Sequence, residues 1–292
     1  MDLSNLKNDL NKKGYSIIPN VLTPHEVSIC LLSFKQWQKS IPNHEEFHEK
    51  INFHGIYKFH NSGHTWHSWF VRTQNNVQQI FKTLWNCNDL IVSFDGCCYI
   101  PKTCKKKDSC WTHTDQSPDS KGLQCYQAFV SFTENKERTF VVYEGTHNDH
   151  ESYFQERMPA NKKNWQPIDE DYLDKIQNKK HVLNVPAGAM VIWDSRVFHQ
   201  NQYGNSNFNP EERFVQYVCF FPKNHPENTT YMQKKRKLYL ETKRTTTHWP
   251  CPIKVVNLQP NNNNNKNYFK IDYKTILNPD IKEFNEKIEK LI

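Results

Sequence analysis

The segment Trp111-Thr112-His113-Thr114-Asp115 sets a histidine and an aspartate two residues apart. On an extended segment such residues point to the same side, so an imidazole nitrogen and a carboxylate oxygen can grip one cation together. A facial triad needs one more histidine, brought from a distant strand, and His199 is the candidate. It closes the run Pro186-Ala187-Gly188-Ala189-Met190-Val191-Ile192-Trp193-Asp194-Ser195-Arg196-Val197-Phe198-His199, in which a turn at Gly188 feeds an apolar strand. Two histidines and one carboxylate fill one face of an octahedron and leave the opposite positions open. That arrangement suits Fe(II) that must bind a co-substrate and O2. A third part fits: Arg213 opens the apolar run Arg213-Phe214-Val215-Gln216-Tyr217-Val218, fourteen residues after His199. An arginine there needs a buried anionic partner or must point to solvent. Its guanidinium fork matches a carboxylate in bidentate fashion, as 2-oxoglutarate would require.

These side chains need a scaffold, and its elements can be read in order. Leu3, Leu6 and Leu10 have helical spacing within Asp2 to Lys13, and Gly14 is a natural stop. Tyr15 to Ile18 reads as a strand. Thr23-Pro24-His25-Glu26 is a capping box opening a helix to about Ser40, with Val27, Ile29, Leu31, Leu32, Phe34 and Trp37 as its buried stripe. Asn75 to Trp85 reads as a helix. Strands are expected at Leu90 to Ile100, Tyr126 to Thr133, Thr139 to Tyr143, His181 to Val185, Met190 to Trp193 and Arg213 to Phe221. Their β-branched and aromatic content and their Gly, Pro and Asn turns indicate a sandwich or barrel, not alternating βαβ units. Asn148 to Lys179 reads as a polar insertion, part helical near Asp169 to Gln177. Beyond Pro222 the expectation is a basic helix over Tyr231 to Thr242, a loop over Asn261 to Asn267 and a terminal helix over Ile281 to Ile292.

Over roughly Leu10 to Pro222 the chain resembles the phytanoyl-CoA dioxygenase family of Fe(II)/2-oxoglutarate oxygenases. The resemblance rests on an ordered set: Gly14-Tyr15 with the capped helix, Trp111-x-His113-x-Asp115, Glu144-Gly145-Thr146-His147, the Gly188 turn, Asp194-Ser195-Arg196 before His199, and Arg213. It implies a mainly β, α+β fold, a double-stranded β-helix (jelly roll, cupin-like) with flanking helices. It implies iron held by His113, Asp115 and His199, the 2-oxoglutarate tail held by Arg213, and Asn201 as a small polar residue against that tail. The implied reaction is O2-dependent hydroxylation of an organic substrate, releasing succinate and CO2. Asp115 weighs against the halogenating variants, which leave that position open. The family's Pro-Gly-Ser-His reads Glu144-Gly145-Thr146-His147 here, and its Gly-Asp turn reads Gly188-Ala189. The expected organisation is one oxygenase domain over 1–222 and a helical and loop extension over 223–292, packed on or covering the core.

Other readings stand beside these. His147-Asn148-Asp149 is a second His-x-Asp, yet only two expected strands separate it from His199, against four for Asp115. Arg196 either pairs with Asp194 or contacts the co-substrate. Strand alternation puts Asp95, Cys97 and Tyr99 on one face and Tyr126, Ala128 and Val130 on another, making Tyr99 and Tyr126 candidate pocket residues for cofactor or substrate. The cluster Trp66, His67, Trp69 and Phe70 reads equally as pocket lining or core. Lys105 to Lys107 and Lys234 to Lys237 are either solvated faces or contacts for nucleic acid. Two alternatives to the oxygenase follow: a cupin-like metalloenzyme without 2-oxoglutarate, and a non-enzymatic jelly-roll binding protein, for instance of nucleic acid.

Composition bounds the rest. The 292 residues carry a net charge of +7 and are 13% aromatic, enough for a substantial core. Eight glycines and no G-x-G-x-x-G or G-x-x-x-x-G-K-[ST] pattern argue against Rossmann and P-loop phosphate cradles. Nine cysteines without a Cys-x-x-Cys spacing argue against zinc and for reduced thiols. Together with a polar N-terminus lacking a secretory h-region and a C-terminal Lys290-Leu291-Ile292 in place of Ser-Lys-Leu, they point to a reducing, cytoplasmic setting. No apolar run is long enough to span a membrane, so a small-molecule substrate is the expected partner.

Overall fold

The computed structural model describes residues 2–159, 161–204, 211–260 and 269–292; the Asn261 to Asn265 tract lies outside them. The chain divides into two compact units, Met1–Asn20 with Ile100–Arg213, and Val21–Tyr99 with Phe214–Ile292. The two units interleave along the chain, and residues 223–292 fall in the same unit as 21–99. The strands in chain order are β1 (Tyr15–Ile18), β2 (Ile56–Tyr57), β3 (Leu90–Val92), β4 (Cys97–Ile100), β5 (His113–Thr114), β6 (Tyr126–Ser131) and β7 (Phe140–Tyr143). They continue as β8 (Gln166–Pro167), β9 (Lys180–Val182), β10 (Met190–Asp194), β11 (Phe198–Asn201), β12 (Arg213–Val218) and β13 (Phe220–Pro222).

The first unit is a double-sheet jelly roll. Helix Leu6–Lys13 buries Leu6 and Leu10 and stops at Gly14, whose φ of +84° is open to glycine at no steric cost. Strand β1 pairs antiparallel with β10, and β10 with β6. The second sheet runs β8-β5-β11-β7-β9. Inner faces meet in an aromatic layer, with Phe129 and Trp193 from one sheet against Phe140 from the other at ring separations of 5.7 and 4.8 Å. The outer face of the five-stranded sheet is clothed by the insertion expected to be polar. Its helices His150–Glu156 and Glu170–Lys175 bring Tyr153, Phe154 and Leu173 onto Tyr143 and Phe198. The insertion also supplies β8, which pairs with β5. A short run of alternating polarity hid that strand from sequence reading, because only two of its residues join the ladder.

The second unit is helical around two short strand pairs, β2 with β4 and β3 with β13. Helix Pro24–Lys39 carries the full capping box, with Thr23 Oγ1 accepting from Glu26 N and Glu26 accepting from Thr23 N. Its buried face holds Val27, Cys30, Phe34, Trp37 and Gln38, whereas Leu32 is 65% exposed. Helix Asn75–Trp85 falls where its periodicity put it. The single strand expected over Leu90 to Ile100 is broken into β3 and β4. There Gly96 lies so near the Tyr57 carbonyl that a Cβ would come within 1.9 Å of its oxygen, and Ser93 Oγ donates to Asp95 Oδ1. Likewise Arg213 to Phe221 divides into β12 and β13 around Cys219, whose carbonyl accepts from Ser93 N. Trp66 stacks on Phe70 and donates to Glu283, and these two half-buried rings pack against Phe284, while His67 and Trp69 of the same cluster are fully buried. No helix among the described residues is long and apolar enough to cross a membrane, and the cysteines form no disulfide among the described residues.

Candidate metal centre

Register brings the two histidines together. In the β5–β11 pair, His113 stands directly opposite His199, so both imidazoles leave the same face of the sheet although 86 positions separate them. Asp115 follows β5 and is tied down through its backbone N–H to Ser195 O at 3.0 Å, while Thr114 Oγ1 donates to the same carbonyl at 2.9 Å. Asp115 Oδ2 then lies 3.6 Å from His113 Nε2 and 3.3 Å from His199 Nε2. One ligand atom from each residue falls within 4.8 Å of the others, and all three residues are buried.

The tautomers are set for ligation. His113 Nδ1 donates to Trp111 O at 3.1 Å and His199 Nδ1 to Val197 O at 3.0 Å, which leaves both Nε2 lone pairs free to face a cation. Burial, helped by neighbouring His113, pushes the His199 pKa below its ordinary value, so its imidazole is neutral near pH 7. Trp111 stacks on the His113 ring at 4.9 Å, and Trp165, half-exposed, lies 5.5 Å from the same ring. Phe140 and Trp193 pack on His199 at 5.1 and 5.4 Å.

Two residues along β11 on the same face, Asn201 Oδ1 accepts from Arg213 Nη2 at 2.9 Å. Arg213 is fully buried and rests over the Phe129 ring at 5.0 Å. Its Nε and Nη1 have no hydrogen-bond partner among the described residues. A buried guanidinium with two idle donors is poised for an anion. The donor set of two imidazoles and one carboxylate fits a divalent first-row metal, and the idle guanidinium fits a carboxylate co-ligand.

The remaining candidates sort by geometry. Tyr126 stands with Ala128 and Val130 on the face of β6 that pairs with Asp194, and burial beside that carboxylate raises its phenol pKa. The face turned to the triad carries Gln127 and Phe129 instead: Gln127 Nε2 donates to Asp115 Oδ2 at 3.0 Å. The alternation was read correctly, but sequence offers no sign of which parity faces inward. Tyr99 belongs to the second unit, where its hydroxyl accepts from Lys35 Nζ and its ring packs on Phe34 and Phe214. Arg196 is committed to Asp194 through two nitrogens, at 3.0 and 2.7 Å. His147 Nε2 donates to Asn11 O, and Asp149 pairs with Lys179, which separates the rival His-x-Asp from the metal site. Gln127, Trp193 and Trp165 escaped sequence reading because none belongs to a ligand motif.

The first unit is thus a double-sheet jelly roll that carries a His113, Asp115 and His199 cluster able to hold a metal ion. No family model matches the chain. It is 24% identical over 267 residues to the Ava biosynthesis cluster protein O of Aspergillus versicolor, covering 84% of this chain and 85% of that one. It is 22% identical over 206 residues to a phytanoyl-CoA dioxygenase, so named provisionally, of Dictyostelium discoideum, covering 57% of each. Among solved structures, HygX from Streptomyces hygroscopicus, with nickel and 2-oxoglutarate bound, superposes with a TM-score of 0.51 at 12% identity, over 77% of this chain and 88% of that one. The chain thus resembles the phytanoyl-CoA dioxygenase-like oxygenases in motif order and shares the oxygenase fold.

Proposed function

We propose that the protein is an Fe(II)- and 2-oxoglutarate-dependent oxygenase that hydroxylates a small organic substrate. The observation that carries this reading is the pairing of the His113, Asp115, His199 triad with a fully buried Arg213 whose Nε and Nη1 are idle. His113, Asp115 and His199 would hold the iron, and Arg213 with Asn201 would hold the distal carboxylate of 2-oxoglutarate. When bound, these groups supply the oxidising power, consuming O2 and releasing succinate and CO2 as a C–H bond is hydroxylated.

The chain's own residues do the rest. Trp111 O and Val197 O lock the two imidazoles in the ligating tautomer. The aromatic layer of Phe129, Phe140 and Trp193 keeps water from the space beside His199 and Arg213, which strengthens the pull of the guanidinium on a carboxylate. Trp165, half-exposed against His113, offers an organic substrate an apolar surface next to the metal. Support from outside the chain comes from HygX, which holds nickel and 2-oxoglutarate on the same fold.

The test is anaerobic addition of Fe(II) and 2-oxoglutarate. A visible metal-to-ligand charge-transfer band is expected, absent in His113→Ala and Arg213→Ala. Bound iron without a band when 2-oxoglutarate is added would refute the co-substrate, and iron retained by both His113→Ala and His199→Ala would refute the triad.

A further inference from the structure

From the geometry we infer that Gln127 is a positioning residue for the metal: its side-chain amide selects Asp115 Oδ2 as the donor oxygen and holds it toward both histidines. The inference rests on the triad reading above and deepens it. Gln127 is 5% exposed and sits in mid-strand β6, where its Nε2 donates to Asp115 Oδ2 at 3.0 Å. The same oxygen lies 3.3 and 3.6 Å from the two histidine Nε2 atoms. A carboxylate on a short segment can rotate about its last bond and offer either oxygen, or both. A donor fixed to the sheet removes that freedom and leaves a single oxygen facing the cation.

The placement is built by register. Gln127 pairs directly with Trp193 across β6 and β10, so both side chains leave the same face of that sheet. Trp193 packs on His199 at 5.4 Å while Gln127 reaches Asp115. One cross-strand pair thus braces two of the three ligands, although it supplies none itself. A buried amide next to Ala128, Phe129 and Val130 is costly to desolvate without such a bond. Glutamine is also the length that spans the gap: an amide donates, whereas a methionine of similar volume cannot.

The experiment measures Co(II) affinity and the visible ligand-field spectrum of the full chain, wild type against Gln127→Met and Gln127→Asn, alongside apo-protein melting. Gln127→Met is expected to lose about 10- to 100-fold in Co(II) affinity with a shifted spectrum, the range typical for removing a partner of a metal ligand. Gln127→Asn, one methylene too short, behaves the same way while its apo melting temperature stays near wild type. If both variants bind Co(II) within twofold of wild type with an unchanged spectrum, Gln127 does not position Asp115 and the inference fails alone. If the wild type binds no Co(II), the inference falls together with the triad. Equal losses of affinity and apo stability in both variants would assign Gln127 a packing role and overturn it as well.

Discussion

Each unit of the molecule buries two arginines, and Arg72 of the second unit differs from Arg213 of the first in how fully its own chain satisfies it. In the second unit Arg72 is largely satisfied by its own chain: Nη1 donates to Gly63 O and Ser68 Oγ, Nη2 donates to Asp95 O, the Asp95 carboxylate lies 3.6 Å away, and Nε alone has no hydrogen-bond partner among the described residues. In the first unit Arg213 has Asn201 for Nη2 and nothing for Nε or Nη1 among the described residues. Both sites are dry, so both guanidinium groups gave up water to get there. Arg72 recovers most of that loss within the fold and serves as a staple. Arg213 leaves more of it unrecovered, which makes sense where a ligand is to complete the set. The contrast is one idle nitrogen at Arg72 against two at Arg213, and the second pattern is what the proposed anion-binding role needs.

Several substitutions can break the contrast. Arg72→Met should cost the most, about 3–5 kcal/mol of unfolding free energy in a urea titration, because it strands Asp95 in a buried site. Arg213→Met should lose about 2 kcal/mol or more of 2-oxoglutarate binding, read by calorimetry with Co(II) in place of iron. A 2-oxoglutarate affinity unaffected by that change would make Arg213 a second Arg72. On folding stability the same Arg213→Met variant should stay within about 1 kcal/mol of wild type, since few bonds are lost and an unsatisfied group is removed.

Acid should sharpen the difference between the units from another side. Burial holds His64 and His67 of the second unit at about 3, both below the ordinary 6.5. Their depressed values mean the unfolded chain binds protons that the folded chain refuses. The stability they contribute is complete above about pH 6.5 and drains away as pH falls toward 3. Urea midpoints should therefore decline through that window, and His67→Gln should flatten the decline by one proton's worth; an unchanged slope would show that His67 does not titrate with unfolding. The smallest effect is expected for Tyr126→Phe, which should leave Co(II) and 2-oxoglutarate binding within twofold, because Tyr126 faces away from Gln127 and the triad.

Much of the candidate site was legible because a metal-ligating set would demand particular side chains at particular parity. His113 and Asp115 announce themselves by spacing, and His199 and Arg213 by their places on apolar runs. The glycine stop of the first helix and the capping box of the next were legible for a similar reason, since these helix ends are set by local hydrogen bonds, whereas the first helix, read from Asp2, begins only at Leu6 without a side-chain cap. What eluded reading depends on distant neighbours. Tyr126 and Gln127 are adjacent in a buried strand, and no local rule says which of them faces the ligands. The insertion between β7 and β9 looked like solvent-facing chain, yet Tyr153, Phe154 and Leu173 cover the back of the sheet that carries His199. Leu90 to Ile100 reads as one strand by propensity and is broken by the contact between Gly96 and Tyr57, which only the folded chain creates.

The sequence by itself determined the chemical inventory: two histidines, an aspartate and an arginine of the right kinds, on segments extended enough to share a face. That much follows from residue type and the two-residue period of a strand. Tertiary structure decided the rest. The β5–β11 register set His113 opposite His199, the turn at Ser195 fixed Asp115 between them, and the pairing of β6 with β10 chose Gln127 as their neighbour. Each of these depends on hydrogen bonds between residues far apart in the chain, and long-range pairing is information that no local pattern of side chains contains.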